Sequence, residues 1–475
     1  MIDREAQINE AAMRVKQATI GTEIAESTTG HAKINGKDKQ PVAYYEADSG
    51  KFYLRNHRGE WIRFSESSLR RYLRTVTFAD VLKAFGQDKI IDTHLVELQT
   101  KLDVTLAIPL AGYPPGVHEI NGERVLVVKG ANYVQPKQGD WSTIKRFVET
   151  LLPDQTDYLY GWLKASFRTL REGAPFRPGQ LLAIAGPAGC GKSLLQNILT
   201  EMFGGRVAKP YKYMTGKTNF NSELFYAEHL AIEDEAASTL IHDRRTFGAN
   251  IKNMLVNETQ PYYRKAREAL TLSPFWRVSC TLNDEPESLM VLPPLDSDLL
   301  DKIILLKASF AKFPFESDDI KSRKKFREQI SRELPAFLAF LSSWRVPDRM
   351  KDQRYGIQAW QHPELMEALA DLAPQSALLS LIDAIKPWDA FNAPFKGTAM
   401  QLKEILLEKD KHNRVNSLLK WNSACGAYLA RLAKSNPDRV RLCGRPGNKA
   451  VWEILPEQVT LPSKEESTDE PQKEA

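Results

Sequence analysis

The apolar pentapeptide Leu181-Leu182-Ala183-Ile184-Ala185 runs straight into Gly186-Pro187-Ala188-Gly189-Cys190-Gly191-Lys192-Ser193, and Leu194, Leu195, Ile198 and Leu199 follow at helical spacing. A strand apolar along its whole length must therefore turn at once into a helix, with glycines where the backbone wraps closely. That order predicts an α/β domain with a parallel sheet, and strand and helix patterns alternate from here to about Phe310. The turn aims backbone N–H groups at a helix N-terminus, an arrangement that holds a phosphate chain. Lys192 is expected to reach the β- and γ-phosphates of ATP, and the Ser193 hydroxyl to ligate Mg²⁺.

A second strand, His229-Leu230-Ala231-Ile232, ends in the carboxylates Glu233-Asp234-Glu235. Phosphoryl transfer needs one carboxylate near the metal and another to polarise the attacking water. One frame makes Asp234 the metal partner and Glu235 the base, with Glu233 pointing away; a shift by one residue is the alternative. A third strand, Trp276 to Leu282, ends in Asn283, whose amide is expected at the γ-phosphate or the lytic water.

Walker A, an acidic Walker B and a strand-final Asn within residues 186–283 resemble the compact arrangement of superfamily 3 helicases, an AAA+ type found in small DNA viruses, phages and plasmids. The closer resemblance is to phage- and poxvirus-type primase–helicases. Thr218-Asn219-Phe220-Asn221 looks like their Phe-Asn element, and Tyr263-Arg264-Lys265-Ala266-Arg267 looks like their basic hairpin. The resemblance covers residues 140–310 well and the flanks loosely. It implies a ring, a homo-hexamer, whose hairpins put Arg264, Lys265 and Arg267 on a nucleic-acid backbone in the central channel. The family's Arg-Arg pair after the third motif is missing. Lys302 is the stand-in for a residue acting on the neighbouring subunit's ATP, without guanidinium geometry. No Asp-x-Asp pair with a downstream His suggests a primase centre, so any priming activity is expected on a separate chain.

A chain of 475 residues is too long for one core. The expected organisation is a small α+β domain over 1–139, the ATPase over 140–310, a helical segment over 311–390, a winged helix over 396–456 and a disordered acidic tail over 457–475. From Lys396 to Leu455 there are 12 Lys+Arg against 5 Asp+Glu, and from Glu457 onward 6 acids against 2 lysines. Helices followed by a basic hairpin place Arg431 and Lys434 on a recognition helix and Arg445 and Lys449 on a wing, all expected to meet DNA. Trp452 and Leu432 are expected inside the small core.

Four cysteines stand far apart with no CxxC pair, which argues against a zinc site and a disulfide framework. Met1 to Glu5 form no apolar signal core, and no run approaches 18 apolar residues, so a cytoplasmic protein away from membranes is expected. The expected function is ATP-driven unwinding in the replication of a mobile element, on single-stranded and forked DNA. The alternative is an AAA+ switch that assembles on DNA or a partner without unwinding.

Overall fold

Aromatic residues on either side of short polar turns build the first sheet. In the computed structural model, which describes residues 43–76, 87–171, 176–233, 235, 241–264, 267–310, 320–371, 374–387, 393–410 and 414–456, β1 (Ala43–Glu46) pairs antiparallel with β2 (Lys51–Arg55), and β2 with β3 (Trp61–Phe64). Helices α1 (Glu66–Val76) and α2 (Gln87–Lys101) follow, and β4 (Asp103–Val104) joins β1 in parallel. Phe52, Leu54, Leu69, Leu73, Ile91, Leu95 and Leu98 close a core between sheet and helices. A second sheet comes next: β5 (Leu106–Ile108), β6 (Gly116–Ile120) and β7 (Glu123–Val127), in the order β5-β7-β6. Residues 1–42 of the expected α+β domain and the tail 457–475 lie outside the described residues.

Helices α3 (Ser142–Leu151) and α4 (Thr156–Arg171) lead to β8 (Leu181–Ala185), α5 (Lys192–Met202) and β9 (Val207–Ala208). Then come β10 (His229–Glu233), α6 (Ile241–Val256), the hairpin β11 (Gln260–Tyr262) and β12 (Leu270–Leu272), β13 (Arg277–Leu282), β14 (Ile303–Lys307) and α7 (Ile320–Ser343). Strands β14-β8-β13-β10-β9 stand in that order, every pair parallel. The sheet is therefore that of an α/β domain. All five residues of β8 and all six of β13 are buried, because helices must cover both faces of a parallel sheet. Leu182, Ile184, Ile304 and Leu306 share one core with α3, α4, α5 and α7.

The N-terminal sheets are fastened to this domain by a buried ion pair. Glu228 is fully buried and takes two bonds from the Arg206 guanidinium, one at 2.9 Å. The same carboxylate accepts the Gly112 N–H at 2.9 Å and the Tyr133 hydroxyl at 3.3 Å. Arg206 also donates to the carbonyls of Pro109, Leu110 and Lys129. Residues 43–133 and the parallel-sheet core thus belong to one compact unit, Met1–His362.

The second unit begins at Pro363. It holds α8 (Pro363–Asp371), α9 (Pro374–Ile385), β15 (Phe395–Thr398), α10 (Ala399–Lys409), α11 (Arg414–Leu418), α12 (Ala424–Ser435), β16 (Val440–Gly444) and β17 (Val451–Ile454). Its sheet is antiparallel in the order β15-β17-β16. Thr398 starts α10 with a capping box, its hydroxyl accepting from the Gln401 N–H and the Gln401 side chain returning to the Thr398 N–H. Leu432 and Trp452 are buried here, as their size requires. Leu378, Leu381 and Ile382 of α9 lie in the same core, so the helices of the expected helical segment divide: α7 packs in the first unit and α9 in the second. No single helix among the described residues is long and apolar enough to cross a membrane; α8 and α9 meet that test only as a pair bent by 69°.

Candidate nucleotide site

The loop 186–193 connects the C-terminal end of β8 to α5, at the edge where ligands bind in open parallel sheets. Gly186 is buried, and a Cβ there would stand 2.6 Å from the Ala308 carbonyl oxygen, so no side chain fits. Gly189 and Gly191 take φ of +78° and +109°, the left-handed turn that brings the loop around to the helix. No side chain caps α5 at Gly191, so its first N–H groups stay available to an anion. Pro187 is half-buried, Ala188, Gly189 and Ser193 are exposed, and Cys190 is buried in the core below.

Lys192 folds back over this loop. Its ammonium donates to the carbonyls of Gly186 at 2.6 Å and Pro187 at 2.8 Å, and to Asn283 Oδ1 at 3.4 Å. Register explains the last contact: Leu282 pairs with Ala185, so Asn283 ends its strand beside Gly186. The structure thus brings Lys192 and Asn283, 91 residues apart, to one point. An ammonium satisfied by loop carbonyls can exchange them for phosphate oxygens, so these residues fit a nucleoside triphosphate.

The acidic strand end lies one strand further on. Glu233 is the register partner of Thr281, and Thr281 of Ile184. Side chains alternate along β10, and His229 faces α5: its Nδ1 lies 2.7 Å from the Thr200 hydroxyl and its Nε2 2.7 Å from the Ser279 hydroxyl, which donates to Gln196 Oε1 at 2.5 Å. Glu233 is in phase with His229 and so stands on the α5 face of the sheet. The expected frame turned it away. The signal was present in the sequence as the i, i+2, i+4 step from His229 to Glu233. Glu235 is half-buried and close enough to β13 that its charge adds to burial in pushing up the Cys280 thiol. Asp234 lies outside the described residues. No group of three or more His, Cys, Asp or Glu among the described residues could hold a metal by itself. Mg²⁺ at a triphosphate takes few protein ligands, and the Ser193 hydroxyl with one strand-end carboxylate fits that donor set. Burial alone holds the His229 imidazole down at about 3.

The other expected residues lie elsewhere. Asn221 is buried and pins the β11–β12 hairpin, donating to the Pro261 carbonyl at 2.8 Å and accepting the Tyr263 N–H at 2.8 Å. On that hairpin Arg264 is paired with the Asp48 carboxylate, and Arg267 donates to the Asp48 carbonyl at 2.6 Å. These two cations are therefore engaged inside the unit; Lys265 lies outside the described residues. Lys302 sits at the N-terminal end of β14, away from Gly186, and bonds to Asp301 at 2.6 Å and the Asp298 carbonyl at 2.9 Å. Its side chain is 12% exposed, so it is turned into its own chain. In the second unit Arg431, Lys434, Arg445 and Lys449 are all exposed.

No protein-family model matches the chain, and no curated protein matches it in sequence. Among solved structures, the apo C-terminal region of NrS-1 aligns at a TM-score of 0.51 and 12% identity, over 87% of this chain and 96% of that one. Its A form aligns at 0.50 with the same identity and coverage. A structure described as the SCCmec type IV Cch active helicase is matched at 10% identity over 84% of this chain and 73% of that one, but at a TM-score of 0.30 it carries no weight. The resemblance expected from the motifs is met at the level of the fold.

Proposed function

We propose that this chain, which has the fold of the NrS-1 C-terminal region, is an ATP-driven helicase of the superfamily 3 type serving the replication of a mobile element. The observation that carries the proposal is the meeting of Lys192 with Asn283 over a glycine-built loop at the carboxyl edge of a parallel sheet. Ser193 and a strand-end carboxylate would hold Mg²⁺, which would supply positive charge to offset that of the triphosphate. Lys192 holds the β/γ-phosphates, and Asn283 orients the γ-phosphate or the water. A carboxylate of the Glu233–Glu235 group takes a proton from that water, and Ser193 with another faces the metal. Register supports Glu233 as the residue nearest α5, with Asp234 and Glu235 sharing the remaining roles.

The motor is read as a homo-hexamer acting on single-stranded and forked DNA. Arg264, Lys265 and Arg267 would line its channel, and Lys302 would face a neighbour's phosphate once its pair with Asp301 opens. In the second unit the order helix, strand, helices, hairpin supports a winged helix that starts at α9, with Arg431, Lys434, Arg445 and Lys449 toward DNA. A separate primase is the expected partner. The alternative, an ATP switch that assembles on DNA or a partner without unwinding, draws support from the pairing of Arg264 and Arg267 with Asp48.

Strand displacement on a forked duplex decides between them. Unwinding should require ATP and vanish in Lys192→Ala, together with an ATPase loss on the order of a hundredfold or more. ATP hydrolysis without any displacement would favour the switch.

A further inference from the structure

At the end of β8 opposite the nucleotide loop, a groove of about 1090 Å³ opens between the last turns of α4 and α7, the segment before β8 and the turn 351–356. A five-residue strand separates the two places by roughly 17 Å. Lys164, Arg168, Arg177, Arg345, Lys351 and Arg354 line the groove against one carboxylate, Asp352. Its net of +5 equals the formal net charge of the whole chain.

Cations at helix C-termini commonly serve only the helix dipole and its last carbonyls. Lys164 does so, donating to the Ser342 carbonyl in the last turn of α7 at 2.5 Å, while Arg177 reaches the Gln353 carbonyl of the turn 351–356 at 3.5 Å, and the two build the walls. The rim is different. Arg345 and Arg354 are exposed, and Lys351 meets the exposed Asp348 at 2.5 Å in a surface pair that a phosphate can replace at little cost. Below the wall, Arg277 donates to the Arg177 carbonyl at 3.2 Å. Burial first, and the Arg177 charge second, lower its guanidinium to about 9.

Phe176 is 40% exposed in the same lining, with Trp344 half-buried beside it. Gly356, at φ +91°, makes room for the arrangement, since a Cβ would come within 3.0 Å of both Ala165 and the Arg177 guanidinium. Small-molecule pockets are mostly apolar and seldom exceed ~1,000 Å³. A cationic trough of this size with an exposed ring suits an extended strand whose bases can stack.

We propose that this groove binds a segment of single-stranded DNA, with phosphates on Arg345, Lys351 and Arg354 and a base against Phe176. The proposal rests on the reading of the chain as a DNA-acting motor. Binding of a labelled oligothymidylate by the full chain tests it across a salt series, beside hydrolysis measured without DNA. The Arg345→Glu, Arg354→Glu double variant should lose about tenfold or more in affinity at low salt and show a salt slope smaller by about 1.4. Phe176→Ala should weaken binding roughly fivefold. DNA-free hydrolysis should hold in both; if charge reversal lowers it, Arg345→Gln with Arg354→Gln is read by the same criteria. Bromodeoxyuridine crosslinks should map to the peptides carrying Phe176 or Trp344. Wild-type affinity and slope in the variants, or crosslinks confined to other peptides, would overturn the groove alone. A wild-type chain that binds no single strand would overturn both the groove and the motor reading.

Discussion

Arg264 directs its guanidinium at the carboxylate of Asp48, 216 residues earlier in the chain, while resting 5.1 Å from the centre of the Tyr262 ring. Arg267 holds the same residue through its carbonyl. If the hairpin cations follow a phosphate backbone, DNA must compete with Asp48 for them. Asp48→Ala removes the carboxylate from Arg264 and leaves the carbonyl that holds Arg267, so it should raise DNA-stimulated hydrolysis and steepen the salt dependence of single-strand binding by about 0.7, the increment of one freed cation. DNA-free hydrolysis should stay constant. A lower stimulated rate in Asp48→Ala would assign the contact to holding the hairpin in its working shape.

The carboxylates at the end of β10 can be ordered by substitution. With Glu233 on the α5 face, Glu233→Gln should slow hydrolysis at least as much as Glu235→Gln, each by roughly tenfold to a hundredfold or more. Nucleotide binding should survive in both, measured with a fluorescent ATP analogue. Normal turnover in Glu233→Gln beside a dead Glu235→Gln would restore the frame in which Glu233 points away.

His229 gives the parallel-sheet core an acid-sensitive stability. Its imidazole is depressed from 6.5 to about 3 in the folded chain, so between those values the unfolded chain binds the extra proton. Stability should be fully present above about 6.5 and decline as pH falls toward 3. Thermal melts of wild type and His229→Gln at pH 7.5 and 5 check this: the variant starts lower and loses less on acidification. Equal losses would place the acid sensitivity elsewhere.

Leu378, Leu381 and Ile382 of α9 complete the core that holds Phe395, Leu432 and Trp452. A fragment of residues 374–456 should therefore fold, with a cooperative melt by circular dichroism. One of residues 396–456, lacking both α9 and Phe395, should not. Cooperative melting of the shorter fragment would remove α9 from the folding unit.

The strand–loop–helix of the phosphate loop was legible because its signals are local: five apolar residues, then glycines, then a 3.6-residue period. Asn283 was legible for the same reason, as the polar end of an apolar strand. β15 was not, since Phe395-Lys396-Gly397 after Pro394 reads as a linker and Thr398 as a helix cap, and its pairing with β17 comes from residues more than fifty positions later. The engagement of Arg264 and Arg267 by Asp48 left no local trace, because a hairpin shows its charges and not its distant partner. The boundary between helices serving the first unit and those serving the second was likewise set by packing, which charge and periodicity do not report.

Glu228 stands one residue before β10, and the groups that satisfy it come both from the segment before α3 and from the parallel-sheet core. The strand bearing the carboxylates is thus anchored at its start by the backbone of Gly112 and the hydroxyl of Tyr133, both made early in synthesis. The nascent chain has to keep residues 105–133 ordered or shielded until residue 228 emerges, a closure over more than a hundred positions that favours slow, late consolidation. A chain trimmed to residues 140–310 would retain every residue of the phosphate loop. It would also leave the Glu228 carboxylate with two bonds fewer and strip Arg206 of three carbonyls, so its defect would show first in yield and aggregation rather than in the chemistry of ATP.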